Sequence, residues 1–377
     1  MSGLLALTSD RTATVRPHSR GRGTENGISI PRKLATVATT IPLRERIPAT
    51  PIPALPDEVA GVTWAAASSA DIDAMVALHA VADPLDHPTY GTPRGEVADR
   101  FTSSWIDPSH DIVVGRLGGD RVVAYGQAGA IPGTEDFAEA TMSGVVHPEF
   151  RNRGIGGALL DWRHARALEY LSTVDAPVEG RITVHTPADQ HSLHRLLERR
   201  GYTVLRRFDE LSRDVSAPIP EAPVPEGLEL VDYSELWSAA TLDAKNTTFA
   251  DHWGSLPESA EYWAQRGESG GLRPDASKLL IEGDSVAAFV LTTVNEDDWS
   301  RLEHRFGYIT LVGVRRKWRG RGAARALLAA VLTSYRQLGW QRASLHVDTT
   351  SPTGADGLYR KLGFAPVAAD LVYGLIY

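Results

Sequence analysis

Residues 307 to 328 read Gly307-Tyr308-Ile309-Thr310-Leu311-Val312-Gly313-Val314-Arg315-Arg316-Lys317-Trp318-Arg319-Gly320-Arg321-Gly322-Ala323-Ala324-Arg325-Ala326-Leu327-Leu328. The part from Tyr308 to Val314 is short and rich in β-branched and apolar residues, so it reads as a strand. From Gly322 onward strong helix formers dominate, and that part reads as a helix. The turn between them holds Arg319, Gly320, Arg321 and Gly322. A strand that passes through glycines into a helix leaves backbone N–H groups unpaired at the positive end of the helix dipole. Such a turn binds anions, and glycine lets a ligand approach the backbone closely. The flanking arginines suit phosphate oxygens.

The turn is not a P-loop, because no Gly-Lys-Ser/Thr follows, and it lacks the G-x-G-x-x-G dinucleotide spacing. Arg319, Gly322 and Ala324 fit Arg-x-x-Gly-x-Ala, and Leu358-Tyr359-Arg360-Lys361-Leu362-Gly363-Phe364 follows further on. The two ordered motifs resemble the acetyl-CoA signature and the Leu-Tyr-x-x-x-Gly-Phe element of the GNAT N-acetyltransferases. The resemblance implies a mixed, mostly antiparallel sheet flanked by helices, splayed to admit pantetheine. It also implies acetyl-CoA as co-substrate and acetyl transfer to a primary amine of a small molecule.

The pattern occurs twice. Val146 precedes Arg151-Asn152-Arg153-Gly154-Ile155-Gly156, which also fits the motif, and a helix follows. The two motif arginines are 168 residues apart (319 minus 151), and Gly201 and Gly363, which both end helices, are 162 apart (363 minus 201). Similar offsets over ordered landmarks indicate a duplicated α/β domain, at a period too long for a solenoid. The expected organisation is a disordered extension over 1–58, a first domain over 59–215, a proline-rich linker over 216–227 and a second domain over 228–377.

Composition sets the class. With 377 residues, 42% hydrophobic and 23% charged, the chain can form two ordinary domain cores. The formal charge of −8 argues against general nucleic-acid binding, and the absence of cysteine excludes disulfides and thiolate metal sites. No apolar run has membrane-spanning length, no metal-ligand spacing stands out, and a cytoplasmic enzyme is expected. The oligomeric state is not legible.

Acetyl transfer from a thioester to an amine needs a held thioester, a neutral amine and a proton for the leaving thiolate. By resemblance, Leu311, Val312, Gly313 and Val314 would bind pantetheine through backbone groups. Arg319, Gly320, Arg321, Gly322, Ala323 and Ala324 would hold the pyrophosphate, with the first-half loop from Val146 to Gly156 as a second such site. Tyr359 is the expected general acid, because a phenol is protonated at neutral pH and can donate to a sulfur anion. Its first-half counterpart is Leu197, which cannot, so catalysis is expected in the second half. For the base no single residue stands out: Glu303 and His304 lie just before the strand, where the resemblance implies acidic or histidine bases, with Glu303 the candidate, and Asp251 and His252 are expected acceptor contacts. A mycothiol-synthase-like activity and a non-catalytic acyl-CoA-binding tandem protein are the alternatives.

Overall fold

The computed structural model describes residues 40–130, 137–250, 255, 257–269, 271–350 and 355–377. The first half runs α1 (Leu43–Arg46), β1 (Val62–Ala66), α2 (Ile72–Asp86), α3 (Arg94–Asp99), α4 (Pro108–Asp111), β2 (Ile112–Leu117), β3 (Arg121–Ala130), β4 (Phe137–Val146), α5 (Ile155–Leu171), β5 (Glu179–Pro187), α6 (His191–Glu198) and β6 (Thr203–Asp214). The second half follows as β7 (Glu229–Asp232), α7 (Ser238–Phe249), α8 (Ala260–Ser269), β8 (Lys278–Glu282), β9 (Ser285–Thr293), α9 (Glu296–Leu302), β10 (Phe306–Val314), α10 (Ala323–Gln337), β11 (Arg342–Asp348), α11 (Ala355–Lys361) and β12 (Ala365–Ile376). This is an α/β fold whose sheet is mixed and mostly antiparallel, with parallel pairs β4/β5 and β10/β11.

The described strands form one sheet in the order β1-β2-β3-β4-β5-β12-β6-β11-β10-β9-β8-β7. The last strand of each half has therefore crossed over. β12 lies against β5, and β6 lies against β11, both antiparallel. The two exchanged strands pair with each other at the centre. The arrangement has the form of a domain swap within one chain.

The cores follow the exchange. The second-half core under α10 includes Leu211 and Val215 from the end of the first half. The first-half core under α5 and α6 includes Leu371 and Tyr373 of β12. Polar ties do the same: Tyr373 Oη donates to Glu198 Oε1 of α6 at 3.0 Å, and Arg213 of β6 donates to the Leu362 carbonyl beyond α11. The proline-bearing segment after β6 is held by Arg213 and Arg336, which donate to the Ala217 carbonyl at 2.9 and 2.8 Å.

Residues 1–39 of the expected disordered extension lie outside the described residues. From residue 40 the expectation is corrected. Leu43 and Ile47 are buried in the first-half core, and the Leu43 and Arg44 N–H groups donate to the Ala176 and Val174 carbonyls at 2.8 and 3.0 Å. Gly180 makes the room, since a Cβ there would come 2.8 Å from the Leu43 side chain.

Candidate active site

In both halves the parallel strand pair separates. β4 and β5 pair only over 137–141 and 179–183, yet β4 continues to Val146. β10 and β11 pair only over 306–308 and 342–344, yet β10 continues to Val314. The β10 edge from Ile309 to Val314 therefore faces a gap rather than a strand. Leu311 to Val314 still pair with β9 on the other edge. Backbone groups on the open edge can meet an extended ligand as a strand would.

Each gap ends in a motif loop, and the two are closed the same way. Arg151 Nε donates to the Val146 carbonyl and Arg319 Nε to the Val314 carbonyl, both at 3.0 Å. Gly154 and Gly322 are the N-caps of α5 and α10, with φ of +89° and +88°. That left-handed conformation favours glycine. Neither glycine has a side chain to cap the helix, so the first-turn N–H groups remain for a ligand.

The loops differ in access. No described atom lies within 4 Å of a Cβ built on Gly320 or Gly322, and both glycines are exposed. A Cβ on Gly154 would lie 3.2 Å from Val59 Cγ2, because the chain before β1 passes over that loop. Arg151 also makes a two-pronged ion pair with Asp86 of α2, at 2.8 and 2.6 Å. That carboxylate brings negative charge to the first loop. At the second loop the Arg321 guanidinium lies over the Trp318 ring, 5.2 Å from its centroid.

Tyr359 is fully buried on α11, against Phe364 and in the cluster formed by α10 and β11. Its hydroxyl has no hydrogen-bond partner among the described residues. A buried orphan hydroxyl costs about 1–3 kcal/mol and is rare. Burial raises its pKa well above the ordinary phenol value, so the proton stays on. This is the group expected for donation to a sulfur anion. Leu197, the first-half counterpart, is fully buried and apolar.

Glu303 is placed differently from its expected role. It is exposed, in the left-handed turn that ends α9 (φ +58°), three residues before β10 begins. Asp251 and His252 lie outside the described residues. The acidic and basic groups that do converge belong to none of the sequence motifs. Tyr308, His346, Asp370 and Glu210 come from β10, β11, β12 and β6, on the sheet face opposite Tyr359. On β11, Leu345 and Val347 face the α10 core, so alternation turns His346 to the other face.

The first half supplies one wall of this cluster. The loop after α2 carries His87, Thr89 and Tyr90. Thr92 N–H donates to Asp83 Oδ2 at 2.7 Å, and Asp83 Oδ1 lies 2.8 Å from His79 Nδ1. Burial would raise the Asp83 carboxyl, but His79 and Thr92 together hold it below its ordinary value. From the second half, Asn295 Nδ2 and Arg301 Nη1 donate to the Gly91 and Pro88 carbonyls at 3.1 and 2.7 Å. Glu210 is bonded by the Thr89 side chain, and burial raises its pKa.

His185 of β5 borders the same cluster. Desolvation pushes its pKa down to about 4, although it keeps part of its surface accessible. Unfolded, it titrates near 6.5. The folded state therefore binds fewer protons than the unfolded state between those values. The stability present above pH 6.5 is lost as pH falls toward 4. The expected loss is about 2 kcal/mol between pH 6.5 and 5. Thermal unfolding of His185→Gln at both pH values checks this: its acid loss should be smaller than that of the parent by that amount, and equal losses would exclude His185 as the cause.

A splayed sheet with an anion loop at the gap and a buried phenol beside it defines an acyl-CoA-dependent acyltransferase. The model of the Acetyltransferase (GNAT) family matches twice, over residues 73–202 and 237–364. The chain belongs to this acetyltransferase family, as a tandem member. A mycothiol acetyltransferase of Salinispora arenicola is 32% identical over 84% of this chain and 93% of its own length. A second, from Salinispora tropica, is 34% identical over 61% of this chain and 71% of its own. Among solved structures, a GCN5-related N-acetyltransferase from Sphaerobacter thermophilus matches with TM-score 0.63 at 25% identity, over 86% of this chain and 97% of that one. A tandem GNAT protein of the clavulanic acid biosynthesis pathway shares the fold, with TM-score 0.60 at 17% identity over 84% and 98% of the two chains. Among the described residues no helix is long and apolar enough to cross a membrane, and no cluster of metal-ligating side chains is found.

Proposed function

We propose that the second half carries acetyl transfer from acetyl-CoA to a small, polar primary amine, with Tyr359 as the acid that protonates the leaving CoA thiolate. The single observation that carries this is the buried, unpartnered Tyr359 hydroxyl, in the same core cluster as Val312 and Val314 of the β10 segment that β11 leaves open. Gly320, Gly322 and the first turn of α10 would hold the pyrophosphate, with Arg319 closing the loop and Arg321 lending charge. Leu311 to Val314 would bind the pantetheine arm through backbone groups. The thioester carbonyl would lie against the same edge, where an N–H group stabilises the developing oxyanion. The first-half loop is a structural relic in this reading, shut by Val59 and Asp86. The enzyme would work in the cytoplasm, where acetyl-CoA is made. The mycothiol acetyltransferase relatives favour a mycothiol-type acceptor as the finer reading.

Calorimetry with acetyl-CoA tests the placement. One bound molecule is expected for the parent and for Gly154→Glu, and none for Gly322→Glu. The two changes impose matched backbone strain, since both glycines have nearly the same φ. Binding that survives Gly322→Glu and is lost in Gly154→Glu would move the cofactor to the first half. CoA release measured by chromatography, with glucosamine and with the acceptor of the mycothiol acetyltransferases, tests the reaction. No release with either would reject the proposed acceptor class.

A further inference from the structure

The reaction needs a group that removes a proton from the acceptor nitrogen, and Glu303 stands exposed in the turn before β10, outside the polar cluster of Tyr308, His346, Asp370 and Glu210. We infer that Tyr308, His346 and Asp370 form a proton relay that deprotonates the attacking amine, in an acceptor cleft that both halves of the chain build. This rests on the second half being the catalytic one.

The geometry is a hydrogen-bonded chain of three side chains from three strands. Tyr308 Oη lies 2.9 Å from His346 Nδ1, and His346 Nε2 lies 2.9 Å from Asp370 Oδ2. An ionised carboxylate only accepts, so Nε2 carries the proton and Nδ1 offers its lone pair to the Tyr308 hydroxyl. In this tautomer His346 Nδ1 is oriented to take a proton from Tyr308, and Asp370 holds the ring from its other side. His346 and Asp370 are buried, whereas Tyr308 keeps part of its surface accessible.

Position supports the role. Tyr308 is the last β10 residue paired with β11, so it stands where the gap opens. Tyr359 is buried in the α10 core cluster with Val312 and Val314, on the other face of the sheet. The acid and the relay thus approach the gap from opposite faces of the sheet. The first half has no such chain at the matching place: the last residues paired there are Thr141 and Thr183, whose hydroxyl oxygens are 3.4 Å apart.

The step balances as follows. The arriving ammonium gives one proton to Tyr308 Oη while the Tyr308 proton passes to His346 Nδ1. The freed amine attacks the thioester carbon and forms the C–N bond, and the second N–H proton of the adduct passes to solvent at the gap. The tetrahedral intermediate then expels the CoA sulfur, which takes the Tyr359 proton. The imidazolium later returns its proton to solvent, and Tyr359 regains one.

The surroundings indicate the class of acceptor. His346 is faced by Tyr308 from β10, Glu210 from β6 and Asp370 from β12. Asp370 is in turn within electrostatic reach of His185 on β5 and of His87 and Tyr90 on the first-half loop. His87 Nδ1 is buried with no partner among the described residues. Two carboxylates suit an arriving ammonium group. The histidines and tyrosines can donate to or accept from hydroxyl groups. A small amine bearing hydroxyls, cationic in water, fits this lining.

The test compares two acceptors with the full-length protein. Glucosamine is largely an ammonium ion near neutral pH and must lose a proton. Hydroxylamine is weakly basic, already neutral, and depends little on a base. In His346→Asn the glucosamine rate should fall by roughly 10²-fold or more, the usual worth of a general base. The hydroxylamine rate and acetyl-CoA affinity should stay within a few-fold. Tyr308→Phe should behave the same way. Equal losses on both acceptors would show a merely structural role and overturn the relay. So would an unchanged glucosamine rate, or a parent that uses hydroxylamine alone. A parent that releases CoA with neither would instead reject the acetyl-transfer reading itself.

Discussion

Tyr359→Phe should lower kcat by roughly 10²- to 10³-fold, within the range general acids contribute, and leave acetyl-CoA affinity unchanged. Tyr359 is fully buried, and its hydroxyl meets no described partner. Removing it cannot break a packing contact of the ring, and Phe keeps the shape. An unsatisfied buried hydroxyl weakens the fold, so the variant should be as stable as the parent or more stable, by about 1 kcal/mol. Lower turnover together with an equal or higher thermal midpoint is a pairing that a structural tyrosine would not give. Full activity in Tyr359→Phe would remove the phenol from the mechanism and leave solvent as the proton source. A lower midpoint would mean that the hydroxyl has a partner in solution.

Deletion of residues 365–377 should unfold the first half as well as the second. β12 contributes Leu371, Val372 and Tyr373, all nearly or fully buried, and two of them belong to the first-half core. Full burial of such side chains contributes about 1.5–3 kcal/mol each. Their joint loss approaches the whole stability of an ordinary domain, about 5–15 kcal/mol. The deletion also leaves β5 and β6 without their shared neighbour. The parent should melt in one cooperative transition rather than two. A fragment of residues 40–215 should fail to fold alone and should regain structure when mixed with residues 216–377. Circular dichroism and calorimetry on the fragments check this. A first fragment that melts cooperatively near the parent's midpoint would show that β6 can fold back beside β5, and that the exchange is optional.

The exchange also bears on why the tandem persists with one closed loop. The first half contributes β6, which carries Glu210 into the polar cluster and Arg213 against the end of the Tyr359 helix. It also lends the loop of His87, Thr89 and Tyr90 as a wall. In the proposed reading, a half that need not bind cofactor still shapes the acceptor side.

Much of this was legible in the amino-acid order. The strand, glycine turn and alanine-rich helix around Gly322 are local properties: β-branched residues, left-handed glycines and helix formers act within a few residues of one another. The same holds for the repeated loop at Gly154, for Tyr359 against Leu197, and for the splayed sheet implied by the family resemblance. The two strands after Gly201 and Gly363 were not read. β12 opens with Ala365-Pro366-Val367-Ala368-Ala369, in which alanine and proline are poor strand formers and the first four residues lie exposed, and it bulges at Pro366. β6 carries Arg206, Arg207, Asp209 and Arg213 among its apolar residues, which blurs any alternation.

The sequence by itself determined the class of chemistry, through the family motifs, and that one domain was duplicated; it also marked the loop proposed for the acyl-CoA phosphate and the half that keeps a tyrosine. Only the tertiary structure decided which strand completes which half, and hence that Glu210, Tyr308, His346 and Asp370 meet. Those four residues lie on four strands drawn from both halves, and their meeting depends on pairings across well over a hundred residues. No local propensity encodes such a pairing, because two similar antiparallel strands can each satisfy either neighbour's backbone. The choice between them is made by the packing of buried side chains, Leu211 into one core and Tyr373 into the other.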